Sequence, residues 1–180
     1  MNNKYTNDFF REIYNSELDQ KHKLDSADSL LVAVLLALSG VGIYYLKALP
    51  ACGFGFVGCV FLLGSVLFLA AFGFAVGFVI ASFWPRDKAY ISSPADWETY
   101  VKGMEDYYSH FHDEEEAGNR AAHELANLLR EQYVKAGEIN RTLNIRKMGY
   151  QTRARRAIAA AVLLILLNAV PACFVQCAKT

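Results

Sequence analysis

Three stretches of this chain carry no charged residue: residues 30–46, 48–85 and 157–178. A bilayer core roughly 30 Å thick needs about 20 apolar helical residues, with about 17 as the lower limit, so the first and third stretches each fit one membrane span. The middle stretch is too long for one untilted helix and too short for two spans with a turn between them. It reads as a turn at residues 50–53 followed by one long, tilted helix over residues 55–84. The expected fold is therefore an all-α integral membrane protein with three transmembrane helices, an N-terminal amphipathic helix, and a cytoplasmic helical hairpin between spans two and three. Its parts are residues 1–28 (amphipathic helix), 29–84 (membrane hairpin), 85–156 (cytoplasmic helices) and 157–180 (third span and short outer tail). Composition agrees. Apolar residues make up 54% of the chain, and exchanging the 10 tyrosines for the 12 glycines leaves the share above the roughly 45–50% of soluble domains. The competing reading is a soluble protein with deeply buried helices.

The first apolar run follows a polar, mixed-charge segment with no clean small-residue cleavage site, which argues against a secretory signal peptide. Arg86 and Lys88 follow the second span, and Arg153, Arg155 and Arg156 precede the third. The first hairpin loop holds only Lys47. By the positive-inside rule, the segment between spans two and three and the N-terminus are cytoplasmic, and the C-terminus lies outside. Trp84 suits the inner aromatic belt, Tyr44 and Tyr45 the outer one. Arg153, Arg155 and Arg156 form a basic collar for lipid head groups, each worth about 1 kcal/mol near an anionic surface.

The 18 basic and 18 acidic residues cancel, so no global positive field favours a nucleic-acid backbone, and no direct nucleic-acid partner is expected. Locally the charges separate. Residues 96–116 carry eight acids and one base, Lys102, whereas residues 141–156 carry six bases and no acid. In the N-terminal arm Phe10, Ile13, Tyr14, Leu18 and Leu24 follow a helical period. With six acids and four bases, the arm suits packing on the protein's own cytoplasmic part better than binding to an anionic leaflet. Ser93 and Pro94 make a helix start. The stripe that follows, Trp97, Tyr100, Val101, Met104, Tyr107, Tyr108 and Phe111, serves either packing or a partner interface. After a break near Gly118, Leu125, Leu129, Ala136, Ile139, Leu143 and Tyr150 fit a weak heptad seam on a long helix that continues into the third span, with Gly137 and Gly149 as bends.

Few residues suggest chemistry. No phosphate-binding loop or serine-nucleophile elbow occurs, so no catalytic residue and no cofactor are expected. His110 with Glu114, and His112 with Glu116, share helical faces and form a weak metal-ligand set that alone would support a metal-dependent enzyme. Gly73, Gly77 and Ala81 repeat every fourth residue, a small-residue face for contacts within or between subunits. Asn168, three residues before Pro171, either lines a pore or subunit interface or makes one structural interhelical hydrogen bond worth about 0.6 kcal/mol. Antiparallel registry of spans two and three places Cys52 level with Cys177, and Cys59 level with Cys173, at the outer end. In an oxidising exterior these pairs are disulfide candidates, the alternative being free buried thiols.

The segment Glu17-Leu18-Asp19-Gln20-Lys21-His22-Lys23-Leu24-Asp25, leading into residues 30–46 and then a second span, resembles small bacterial membrane proteins of the SLATT type, two-span effectors linked to anti-phage defence. The resemblance covers about the first half of the chain, and the third span is additional to that plan. It implies an oligomer in the inner membrane whose cytoplasmic helices receive a signal from a partner and whose spans then permeabilise or depolarise the membrane. The expected function is thus a homo-oligomeric membrane effector or channel-like protein. A membrane-anchored sensor or scaffold, holding a cytosolic protein on Trp97, Tyr100, Met104, Tyr107 and Tyr108, is the alternative.

Overall fold

The computed structural model describes residues 7–48, 55–84 and 89–177, apart from the side chains of residues 48, 94 and 172–177. Four helices account for almost all of them, with no strand among the described residues: α1 (Asn7–Ala48), α2 (Phe56–Phe83), α3 (Pro94–Ser109) and α4 (Glu114–Cys177). Helices α1, α2 and α4 are long and apolar enough to cross a membrane. The turn expected at residues 50–53 lies outside the described residues.

Local chemistry sets the helix ends. Ser93 caps α3 with Pro94 in the first turn, and Asp96 completes a capping box by accepting from the Ser93 backbone N–H at 3.1 Å. The break before α4 falls at residues 110–113, ahead of the expected position at Gly118. Asp113 Oδ1 accepts from the Glu116 backbone N–H at 2.8 Å, and Glu114, Glu115 and Glu116 occupy the first turn, where carboxylates favour a helix N-terminus. That start leaves Gly118 inside α4. The helix also runs without interruption through Gly137 and Gly149, the two expected bends.

The chain forms two units. One comprises residues 23–85 and 146–180, and its hydrophobic core is built from α1, α2 and α4. Its buried residues recur at intervals of three, four or seven along each helix: Asp28, Leu31, Leu35, Leu38, Gly42 and Tyr45 on α1, then Gly58, Phe61, Ser65, Phe68, Ala75, Val79 and Ser82 on α2. On α4 the same stripe runs through Gln151, Ala154, Ile158, Ala161 and Asn168. This is the spacing of left-handed helix packing, with large side chains set against small ones. Gly42 faces Phe68 in this way, with the position of a Cβ on Gly42 3.4 Å from the ring. The Tyr45 ring meets Phe61 and Phe68 edge-on at 5.5 and 5.6 Å. Contacts between α1 and α4 join residues 120, 122 and 123 apart in sequence, so the two helices run parallel. The outward side chains remain apolar, among them Leu36, Phe74, Leu163 and Leu167, each more than half exposed.

The other unit comprises residues 1–22 and 86–145. Here Tyr14 packs edge-on against Tyr133 at 5.8 Å, and Arg130 lies over the Phe10 ring at 5.0 Å.

The seam of α4 also differs from the expected one. Ala136 is buried as expected, but Leu125, Leu129, Leu143 and Tyr150 are half-buried and Ile139 is exposed, while Asn140, Asn144 and Gln151 are buried. Ala117, Ala121 and Ala136 are buried nearer the N-terminal end of α4, whereas between residues 140 and 151 the stripe is polar rather than apolar. Each amide finds a partner there: Asn140 Nδ2 donates to the Ala89 carbonyl at 3.0 Å, and Asn144 Nδ2 to the Glu17 carbonyl and carboxylate at 2.8 and 3.0 Å. Satisfied amides can occupy a core position, whereas unsatisfied ones would cost about 1–3 kcal/mol.

Candidate functional site

The densest buried polar chemistry lies where α1, α2 and α4 converge at the polar ends of their apolar stretches. Asp28 is completely buried. Its Oδ1 accepts from Ser82 Oγ on α2 and from Gln151 Nε2 on α4, both at 2.7 Å. Gln151 Nε2 also donates to the Leu24 carbonyl at 2.7 Å, tying α4 to the α1 backbone. Asp28 Oδ2 lies 2.7 Å from Lys147 Nζ, held by charge without an aligned hydrogen bond. Lys147 also donates to Asp25 Oδ1 at 2.5 Å and passes 5.8 Å from the centre of the Phe83 ring. Five polar side chains from three helices thus share one knot.

Burial pulls the Lys147 ammonium pKa down, but its contacts with Asp25 and Asp28 more than offset this and leave it above the ordinary lysine value. Lys147 therefore stays charged at neutral pH, and it must, because a completely buried carboxylate without a counter-ion would be strongly destabilising. The arrangement works as a clasp. It holds three helices while its partners are in place, and removing Lys147 would leave the buried Asp28 without its counter-ion.

None of these residues stood out as a site in the sequence. Lys147 was one base in a run of six, and Asp28 one acid in a mixed arm. The available signal was positional: Lys147 and Gln151 continue the three-four spacing of Ala154, Ile158 and Ala161 back beyond the apolar run.

A second, smaller polar contact lies deeper in the bundle. Asn168, 3% exposed, donates through Nδ2 to Ser65 Oγ at 3.1 Å and to the Phe61 carbonyl at 3.3 Å. Ser65 Oγ in turn donates to the same carbonyl at 2.8 Å. The approach relies on Gly64, where a Cβ would fall 2.6 Å from Asn168 Oδ1. Asn168 is thus engaged within its own chain. Nearby, Tyr45 donates its hydroxyl proton to the Ile165 carbonyl at 3.2 Å.

The other candidate residues are dispersed. Gly73 and Gly77 face outward, with open space where a Cβ would stand, and Ala81 is half-buried. Pro171 lies inside α4. Cys59 is an exposed free thiol, whereas Cys52 and the side chains of Cys173 and Cys177 lie outside the described residues. Arg153, Arg155 and Arg156 are exposed. His110 and Glu114 do not share a helical face, because the chain turns between them, and His110 Nδ1 lies 2.7 Å from the Asp106 carbonyl. His112 Nδ1 lies 3.3 Å from Glu116 Oε2. Among the described residues no group of three or more metal-ligating side chains comes together.

The aromatic stripe divides into two faces. Met104 is buried, Trp97 is half-buried with its indole N–H donating to the Ser92 carbonyl at 3.1 Å, and Tyr108 donates to Glu124 at 2.5 Å. That hydrogen bond to Glu124, chiefly, raises the Tyr108 pKa. Tyr100, Tyr107 and Phe111 face outward. Comparison with protein-family models, with curated proteins and with solved structures finds no match for the chain.

Proposed function

We propose that the chain is a homo-oligomeric effector of the bacterial inner membrane, channel-like in action, that disrupts or gates the membrane when its cytoplasmic helices receive a signal, in the setting of anti-phage defence. The resemblance of residues 17–25 and the following span to SLATT-type effectors supports the setting. Basic residues flanking the second and third apolar runs support a cytoplasmic N-terminus, cytoplasmic residues 85–156 and a periplasmic C-terminus. The outward-facing Gly73 and Gly77 and the apolar outer surface favour contacts with lipid and with further copies.

The observation that carries the reading is the Asp25–Asp28–Lys147–Gln151–Ser82 knot. Helices α1 and α4, which each contribute residues to both units, meet at this clasp. A signal that displaces Lys147 would leave the buried Asp28 without a counter-ion among the span ends and favour a rearranged bundle. Expression in bacteria with a potential-sensitive dye tests this. Lys147→Met should depolarise cells, and Asp28→Leu combined with Lys147→Met should restore the potential. Normal potential in the single variant, and under every activating condition for the wild type, would defeat the reading. A non-enzymatic membrane scaffold is the second reading, favoured by the exposed Tyr100, Tyr107 and Phe111. It expects a cytosolic partner that co-purifies with the wild type and is lost with Tyr100→Ala.

A further inference from the structure

The six bases of residues 141–156 look alike in the sequence, yet α4 distributes them over different faces. Lys147 turns inward to Asp25 and Asp28. Arg146, Arg153, Arg156, Ala160, Leu163 and Leu167 instead recur at intervals of seven, three or four, and all six are exposed. They form one stripe on the side of α4 turned away from its buried Gln151, Ala154, Ile158 and Ala161. Arg155 is exposed on another side, about 100° around the helix from Arg156 and about 200° from Arg153.

Charge on this stripe is unpaired. No acid follows Glu138 in the chain, and among the described residues no salt bridge engages Arg146, Arg153 or Arg156. Gly149 lies between the first two arginines on the same side, with open space where a Cβ would stand. Past Arg156 the stripe becomes apolar, and Leu163 and Leu167 are 60% and 73% exposed. At a helical rise of 1.5 Å per residue, Arg156 and Arg153 stand about 6 and about 10 Å from Ala160 along the axis. With Ala160, Leu163 and Leu167 in the hydrocarbon, both arginines therefore reach head-group level.

We infer that this stripe is a binding site for an anionic phospholipid, with the phosphate held by Arg153 and Arg156, Arg146 adding charge above them, and an acyl chain along Ala160, Leu163 and Leu167. The guanidinium fork matches phosphate oxygens, and an exposed apolar strip directly below it matches a lipid rather than a water-soluble anion. A second copy presenting the same stripe is a poorer occupant, because three bases without an acid repel their own image. A nucleic-acid backbone would leave Leu163 and Leu167 uncovered. The inference rests on the reading of α4 as a membrane span and adds the class of lipid it takes. It divides the expected basic collar, keeping Arg153 and Arg156 and excluding Arg155.

The test is native mass spectrometry of the full chain, purified in detergent and offered equal amounts of phosphatidylglycerol and phosphatidylethanolamine with matched acyl chains. Preferential retention of phosphatidylglycerol is expected. Arg153→Gln with Arg156→Gln should weaken that retention about 30-fold, as for two bases removed from an anionic surface. Arg155→Gln should leave it unchanged. Arg146→Gln, an independent change at an exposed position, should weaken it by a smaller factor. Glutamine suits a helix interior, and circular dichroism checks that each variant keeps its helicity. Equal retention of the two lipids, equal loss in Arg155→Gln and in the double variant, or displacement of the lipid by glycerol phosphate at equal concentration would overturn the inference. Protein that stays soluble and lipid-free without detergent would defeat the span reading as well, whereas equal retention of both lipids would leave that reading standing.

Discussion

The three-helix bundle buries polar groups at two levels and treats them in opposite ways. The Asp28 knot pairs Lys147 with two carboxylates, draws on five side chains and lies at the polar ends of the apolar stretches. The Asn168 contact is neutral, involves one amide, one hydroxyl and one carbonyl, and lies deep within the apolar stretch. The difference is one of stakes. Charges bring a large desolvation cost that only complete pairing offsets, so the knot responds strongly to loss of one member. An amide in an apolar bundle gains little over its other options, so its hydrogen bond is weakly coupled to stability.

This contrast can be broken experimentally, beginning at the knot. Lys147→Ala should lose about 3–5 kcal/mol in unfolding titrations in detergent, as expected when a buried carboxylate loses its counter-ion, and more than Asp28→Ala, because there Lys147 keeps Asp25 as its partner. Asp28→Leu with Lys147→Met should recover most of that loss, since a well-packed apolar replacement is often neutral or stabilising. If the double variant is as unstable as the sum of the singles, the two side chains do not act as a pair. Gly64→Ala should cost on the order of 1 kcal/mol by pushing Asn168 from its partners. Adding Asn168→Ala should relieve the crowding, and equal stability of both variants would place the strain elsewhere. Asn168→Ala alone should cost about 0.6 kcal/mol, the smallest of these effects.

The two levels also differ in pH response. The folded-state pKa of Lys147 is raised, so its contribution is fully present below the unfolded lysine value and is lost as pH rises through the folded one. Stability should therefore fall at strongly alkaline pH in the wild type, with that component absent in the Asp28→Leu, Lys147→Met variant. Asn168 does not titrate, and Asn168→Ala should keep the wild-type profile. Thermal unfolding across alkaline pH checks both.

Much of the fold was legible in the sequence because it follows from local chemistry. Charge-free runs mark the apolar helices, and Ser93 with Pro94 marks the start of α3. The long helix through residue 150 into the third run was equally readable, since no proline falls between Pro94 and Pro171. The α4 seam was legible only at Ala136, because a search for apolar periodicity also follows Leu125, Leu129 and Ile139, while the buried stripe passes through Asn140, Asn144 and Gln151, with Lys147 half-buried beside them. A polar residue becomes a core residue only when a partner arrives from elsewhere in the chain. Glu17, Ala89, Leu24 and Asp28 are such partners, each more than 50 residues away.

The aromatic stripe shows the same division of labour. Spacing alone grouped Trp97, Met104 and Tyr108 with Tyr100, Tyr107 and Phe111, because all lie within one broad sector of a helix. Packing then turned the first three inward and left the second three outward. By itself the sequence determined the helices, their apolar lengths and their uneven charge, which depend on residues near one another in the chain. Tertiary structure decided that Asp28 and Lys147 are paired, that Asn168 is satisfied within its own chain, and that Gly64 rather than Gly73 or Gly77 permits a close approach. Those outcomes depend on which faces of separate helices meet, and no local pattern specifies that.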